Sequence, residues 1–294
     1  MTFSAKVRKK MKYVLYNPLA NNKHGKENAM TLEGSDNEKE YTFVDFTATP
    51  DIPAFFESLS KDDCVIVCGG DGTMNRFANS LGDTVPDIDI YHYPAGSGND
   101  FMNDIAGKKK NELVKINDYL KDLPVATING KDYKFLNGIG FGIDGYCCEV
   151  ADIIQAKSKR KVNYTTIALK GILFKYKPTD ARVTVDGVTH EYKNAWLAPT
   201  MNGRYIGGGM KIAPDQNRLD PERKVTSLVM SNTNRLRILL LFTKIFKGTH
   251  VGHPNLDIRK GNEVKVEFSE PRALQVDGET ILNVLSYTVR TGKK

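Results

Sequence analysis

The chain has 294 residues, 40% of them hydrophobic and 26% charged, the make-up of an ordinary globular protein of about two domains. That composition excludes collagen-like, low-complexity and disordered proteins, and no uncharged run approaches the ~18 apolar residues of a membrane span. The net charge of +7 is lopsided: residues 1–150 hold 17 Lys/Arg against 22 Asp/Glu, and residues 151–294 hold 25 against 13. A second half that basic points to an anionic partner (a membrane surface, nucleic acid or phosphate) or to a plain solvated face. The basic N-terminus, with Lys6, Arg8, Lys9, Lys10 and Lys12, is followed only by the short apolar run 13–16, too little for a signal peptide. The chain therefore reads as cytoplasmic. Cys64, Cys68, Cys147 and Cys148 lack metal-ligand spacing and read as reduced core thiols.

The first 125 residues alternate strand and helix patterns. Strands are expected at 12–17, 41–46, 63–68 and 88–93, with helices at 52–59, after the start signal Thr49-Pro50-Asp51, and at 73–81. Such alternation implies parallel βαβ units, in which ligands bind at the carboxyl ends of the strands. Beyond residue 125 the pattern changes. Asn129-Gly130 and Asp186-Gly187 sit between strand-like runs as hairpin turns, and Gly261-Asn262 precedes the alternating run 263–268. Helices are expected at 145–157, 164–174 and 234–246, within a largely antiparallel β region.

Two glycine-rich segments follow strands of the first half. In Gly69-Gly70-Asp71-Gly72-Thr73-Met74-Asn75 a buried strand runs into glycines and then a helix. Glycines let backbone N–H groups approach phosphate oxygens, and the helix adds uncapped donors and its positive dipole end. Asp71 beside a polyphosphate implies an intervening cation, Mg²⁺. The alternative is a glycine turn with Asp71 as an N-cap. Pro94-Ala95-Gly96-Ser97-Gly98-Asn99-Asp100-Phe101 offers a second hydroxyl and a second carboxylate, or a capped turn.

These two segments together resemble the catalytic domain of the diacylglycerol kinase family, in its soluble bacterial lipid-kinase branch. The resemblance extends to Asn17-Pro18, to Asn137-Gly138-Ile139-Gly140-Phe141-Gly142-Ile143-Asp144, to Gly207-Gly208-Gly209-Met210 with Ala213-Pro214, and to Gln275-Val276-Asp277-Gly278-Glu279. It implies a phosphofructokinase-like α/β ATP-binding domain over 1–125 and a mainly antiparallel β-sandwich lipid-substrate domain over 126–294, with the active site in the cleft between them. It further implies ATP- and Mg²⁺-dependent phosphorylation of a lipid hydroxyl, diacylglycerol by default. Residue by residue, it places Asn17, Thr47, Gly69, Gly70, Asp71, Gly72, Thr73, Met74, Asn75, Gly96 and Ser97 on the nucleotide. Asp71 and Asp100 would hold the catalytic Mg²⁺ through water, and Asp277 and Glu279 match the segment that supplies the catalytic base.

Two departures stand out. Many relatives have an acid where this chain reads Leu123-Pro124-Val125-Ala126. Relatives also carry Asp-Gly after the Ala-Pro segment, holding a structural Mg²⁺ with a carboxylate and backbone carbonyls. Here the stretch is Leu219-Asp220-Pro221-Glu222-Arg223-Lys224. Glu222 and then Asp220 fit the carboxylate position, Arg223 replaces the glycine, and a metal-free loop is the alternative.

Helix 235–246, with Leu236, Leu239, Leu240 and Phe246 among Arg235, Arg237, Lys244 and Lys247, reads as core packing with a solvated basic face, or as a segment lying on an anionic leaflet. Lys157, Lys159, Arg160 and Lys161 form a second basic cluster. The expected partner is a lipid substrate at an anionic membrane surface, met peripherally; no nucleic-acid motif is present, and a homodimer is left open. The competing functions are a soluble-substrate kinase of the NAD-kinase type, which shares Gly-Gly-Asp-Gly, and a non-catalytic lipid- or nucleotide-binding regulator.

Overall fold

The computed structural model describes residues 10–32, 41–96, 98–107, 112–157 and 162–292. Ser97, Lys159, Arg160 and Lys161 lie outside them. The chain parts into two compact units, Met1–Ser97 with Lys109–Lys121 and Gly98–Lys108 with Asp122–Lys294.

In chain order the first six helices are α1 (Ala20–Lys23), α2 (Gly25–Met30), α3 (Ile52–Glu57), α4 (Asp71–Ser80), α5 (Asp100–Ile105) and α6 (Asn117–Leu120), of which α5 belongs to the second unit. The first unit is built on strands β1 (Lys12–Tyr16), β2 (Tyr41–Asp45), β3 (Cys64–Gly69), β4 (Asp89–Pro94) and β5 (Val114–Lys115). They form a sheet in the order β2-β1-β3-β4-β5, parallel except for β5 at the edge. The run Cys64-Val65-Ile66-Val67-Cys68 is buried throughout, as a central parallel strand covered on both faces requires. From β1 the chain moves to β2 on one side and then to β3 on the other, so the strand order reverses between β1 and β3. Ligands bind at the carboxyl ends of strands flanking such a reversal. Asn17 follows β1 there, and Gly70 follows β3.

The second unit carries β6 (Val125–Ile128), β7 (Lys131–Lys134), β8 (Gly138–Gly142), β9 (Thr179–Val185), β10 (Val188–Ala195), β11 (Leu197–Met201), β12 (Val225–Met230), β13 (Leu256–Gly261), β14 (Glu263–Val276) and β15 (Glu279–Arg290). Their order is β13-β12-β11-β8-β14-β15-β6-β7, with β9 joining β14 and β10 joining β9. Every pairing is antiparallel. The long β14 breaks register twice against β15; its first half pairs with β9 and its last three residues with β8. That bend lets one strand serve two faces around a core containing Phe141, Phe268, Leu274 and Tyr287.

Helices α7 (Ile143–Lys157), α8 (Tyr164–Lys170) and α9 (Arg235–Lys247) share a second core with β11 and β12. The helix expected over 164–174 is α-helical only to Lys170; Gly171–Lys175 is a single π-turn. A Cβ on Gly171 would stand 2.6 Å from the Tyr146 ring, so glycine permits this close approach. Helix α9 is capped by the Asn234 side chain, which accepts from Arg237 N at 3.0 Å, and ends at Gly248 with φ +69°. Its inward residues are Ile238, Leu241 and Ile245. Of the apolar residues expected to form its packed stripe, only Leu239 is turned toward the core, and Leu236, Leu240 and Phe246 are exposed.

Segment 98–107 joins the second unit through charge. Asp104 is buried and receives the guanidinium groups of both Arg204 and Arg218, as well as Arg204 N at 3.0 Å. Burial alone would raise its pKa, but the two arginines outweigh that and hold it below the ordinary carboxylate value. The Arg218 guanidinium also lies 5.0 Å from the Phe101 ring centroid.

Candidate active-site loops

In the first unit, α4 starts directly from the end of β3, with Gly70 as its extended first flanking residue and no side chain capping it. The first bond inside the helix is Met74 N to Gly70 O at 3.0 Å. The N–H groups of Asp71, Gly72 and Thr73 therefore precede the helix's own ladder, the geometry that receives anions. A Cβ on Gly72 would meet nothing within 4 Å, whereas one on Gly69 would lie 2.5 Å from Thr73 Cβ. Gly69 is thus required by the fold and Gly72 leaves open space, as a phosphate cradle needs. Thr73, Met74 and Asn75 are buried; the Asn75 side-chain oxygen accepts from Asn79 at 3.3 Å.

Behind this loop stands a residue that sequence reasoning missed. His92 is fully buried in β4, with Nε2 3.0 Å from the Gly69 carbonyl. Burial pushes its pKa down to about 4, so the ring is neutral near pH 7 and donates to that carbonyl. Ala95 N donates to the same oxygen at 2.9 Å. A single histidine inside an apolar strand carries no motif that could have disclosed this.

The remaining expected nucleotide residues have defined chemistry. Asn17 is buried and its Oδ1 accepts from Leu19 N at 2.9 Å, which leaves its NH₂ as the group to offer a ligand. The Thr47 hydroxyl donates to Asp45 at 2.7 Å, so it meets a ligand as an acceptor. That hydrogen bond in turn lowers the Asp45 pKa. Gly96 lies in the bend after β4.

In the second unit, Asp100 opens α5, buried, and accepts from Gly208 N at 2.8 Å. Gly207, Gly208 and Gly209 all have positive φ, which explains the glycine run. Asp144, at the start of α7, is pushed up to about 7 by burial, with the nearby Asp100 charge adding to the rise and a hydrogen bond from Gln275 opposing it.

Asp277 and Glu279 differ sharply. Asp277 and Gly278 form the two-residue turn between β14 and β15, with φ +47° and +91°. The Asp277 carboxylate is buried and accepts three backbone hydrogen bonds, from Leu136 N at 2.5 Å, Asn137 N at 2.7 Å and Gly138 N at 2.9 Å. Its own N–H donates to Gly138 O at 2.9 Å. Glu279 is exposed, and its carboxylate makes no hydrogen bond among the described residues.

The stretch 218–224 is held by protein groups. Asp220 Oδ1 accepts from Glu222 N at 2.8 Å, and the Glu222 carboxylate pairs with Lys224 Nζ at 2.7 Å. Arg223, at φ +54°, donates through one guanidinium nitrogen to Arg218 O at 2.9 Å and pairs through the other with Asp122 at 3.6 Å. A guanidinium thus sits on the backbone carbonyl of this loop, and no group of three or more His, Cys, Asp or Glu side chains suited to a metal occurs among the described residues. The Asp220 and Glu222 carboxylates are thus each engaged by groups of the loop itself.

Comparison with known proteins matches both units. A family model described as the diacylglycerol kinase catalytic domain matches residues 12–126, and one described as the YegS C-terminal NAD kinase beta sandwich-like domain matches residues 137–290. A Bacillus subtilis (strain 168) protein named diacylglycerol kinase is 27% identical over 231 residues, 76% of this chain and 73% of its own. One of the same name from Mycobacterium tuberculosis (strain ATCC 25618 / H37Rv) is 28% identical over 212 residues, 70% of this chain and 67% of its own. A crystal structure from Bacillus anthracis str. Sterne superimposes with a TM-score of 0.68 at 24% identity, covering 98% of this chain and 94% of that one, a likeness of fold.

Proposed function

The chain belongs to the diacylglycerol kinase catalytic-domain family with a YegS-type C-terminal domain, and from that premise we propose that it uses ATP and Mg²⁺ to phosphorylate a lipid hydroxyl, with diacylglycerol as the default acceptor. The observation that carries this reading is the loop Gly69-Gly70-Asp71-Gly72-Thr73 at the reversal of a parallel sheet, with three N–H groups ahead of the α4 ladder and open space over Gly72. In phosphoryl transfer the protein mainly positions groups and stabilises charge. The N–H groups of Asp71, Gly72 and Thr73 take phosphate oxygens, and the His92 bond to Gly69 fixes the start of the loop. Asn17, Thr47, Asn75, Gly96 and Ser97 are assigned to the rest of the nucleotide. Mg²⁺ supplies positive charge on the polyphosphate, with Asp71 and Asp100 as the carboxylates that would hold it.

A lipid hydroxyl needs a group to take its proton as it attacks. Of the Asp-Gly-Glu pair we assign that task to Glu279. A carboxylate already accepting three backbone donors, as Asp277 does, has little capacity left for a further proton. Asp277 is a positioning residue that ties the turn bearing Glu279 to segment 136–138. The protein would work as a peripheral protein at the cytoplasmic membrane surface; among the described residues no helix is long and apolar enough to cross a bilayer.

The test is incubation with γ-labelled ATP, Mg²⁺ and a total lipid extract. Label in the organic phase supports the proposal. Label in a water-soluble product would instead favour the NAD-kinase-type reading, and no transfer would favour a non-catalytic regulator.

A further inference from the structure

On the second unit, α9 and the π-turn Gly171–Lys175 neighbour each other and share one core, to which Ile172, Ile238, Leu241 and Ile245 contribute. Arg235 fastens them, donating to the carbonyls of Ile172 and, at 3.1 Å, Tyr176. With that core satisfied, the outer sides should be polar. Instead Leu236 is 68% exposed, Leu240 62% and Phe174 73%, and Leu173 and Phe246 are exposed as well. Leu236 and Leu240 stand one turn apart on α9, so they share a stripe. Large apolar side chains gathered on adjoining elements mark a surface that is covered in use.

Charge says what covers it. Residues 162–177 and 234–248 contain no Asp or Glu, while Lys170, Lys175, Arg237, Lys244 and Lys247 are all exposed. Apolar side chains ringed by cations match the interfacial zone of an anionic bilayer, where the apolar groups leave water and each cation meets lipid phosphate. A second copy docking by the same face would bring like charges together. Nucleic acid would satisfy the cations and leave Phe174 and Leu236 without a counterpart.

We infer that the face formed by the π-turn and α9 docks the protein on anionic phospholipid bilayers, with Phe174, Leu236 and Leu240 entering the interface. This rests on the lipid-kinase reading, since it supplies the approach to a substrate that resides in the bilayer.

The test uses the full chain with vesicles of phosphatidylcholine alone or mixed with phosphatidylglycerol. Three proteins are compared: wild type, Phe174→Ser with Leu236→Ser, and Lys244→Gln with Lys247→Gln. Phosphorylation of a short-chain diacylglycerol dissolved as monomer is measured alongside. Wild type should sediment with the mixed vesicles in a salt-sensitive way. The charge pair should bind roughly 30-fold more weakly and the apolar pair roughly tenfold or more. Both should keep the wild-type rate on the monomeric lipid. Variants that sediment like wild type would overturn the docking face. So would variants that lower the oligomeric state in analytical ultracentrifugation, since the face would then join copies of this chain. Vesicle binding that falls as expected, with no lipid phosphorylated in any form, would sustain the docking face and refute the kinase reading.

Discussion

The Asp277 carboxylate accepts the Asn137 backbone N–H at 2.7 Å, across 140 residues of sequence, and the Leu136 and Gly138 N–H groups beside it complete the clamp. This bond joins the β14–β15 turn to the segment leading into β8. Two motifs far apart in the chain are therefore one structural unit, and Asp277 serves its geometry while Glu279 is left at the surface.

Asp277→Asn should act on stability. The asparagine NH₂ would face backbone donors in place of an acceptor, and a buried donor left unpaired costs about 1–3 kcal/mol. The melting temperature of the variant should fall by several degrees. An unchanged melting temperature would contradict the clamp.

Gly72→Val and Gly69→Val should separate binding from folding. Space is open at Gly72, so its variant should fold with near wild-type stability and lose ATP binding in calorimetry, because the side chain fills the phosphate cradle. At Gly69 the new side chain meets Thr73, so that variant should lose stability. A well-folded Gly72→Val protein with normal ATP affinity would refute the phosphate-loop assignment.

The first unit was the more legible in sequence, because each parallel strand is a short apolar run bounded by turn residues. The hairpins at Asn129-Gly130 and Asp186-Gly187 were legible for the same reason, since two-residue turns demand those residues. Segment 98–107 reads by continuity as part of the first unit, yet its allegiance is decided by Asp104 meeting Arg204 and Arg218, pairs about 100 residues apart that leave no periodic signal. In α9 the sequence is apolar nearly all round, so periodicity could not choose between Ile238-Leu241-Ile245 and Leu236-Leu240 as the inner side. The loop Gly69-Gly70-Asp71-Gly72-Thr73 was readable from its residues, whereas the burial of Asp277 under three backbone donors, with Glu279 left exposed two residues on, depends on segments that only the fold brings together.

Two buried groups should pull stability in opposite directions with pH. His92 is held down to about 4, so the unfolded chain takes up its proton first as pH falls. Its contribution is complete above about pH 6.5 and is lost toward pH 4, roughly 3 kcal/mol in all. Asp144 is raised to about 7, so its contribution is complete below the ordinary Asp range and is lost as pH rises through 7. Asp144→Asn should therefore gain melting temperature relative to wild type at about pH 8 compared with about pH 5. Equal differences at the two pH values would contradict this.

The 218–224 loop should not need metal. With Arg223 on the Arg218 carbonyl and on Asp122, the melting temperature of the nucleotide-free protein should be indifferent to a chelator. Arg223→Met should cost about 1–2 kcal/mol in denaturant unfolding. A fall in wild-type melting temperature on chelation would show that a cation holds this loop.

The assignment of Glu279 as the group that takes the proton from the lipid hydroxyl is tested by the kcat of Glu279→Gln on diacylglycerol, with ATP affinity determined in parallel. The kcat should fall roughly 10²–10⁴-fold, with ATP affinity and melting temperature unchanged. A Glu279→Gln enzyme that turns over at close to the wild-type rate would contradict it.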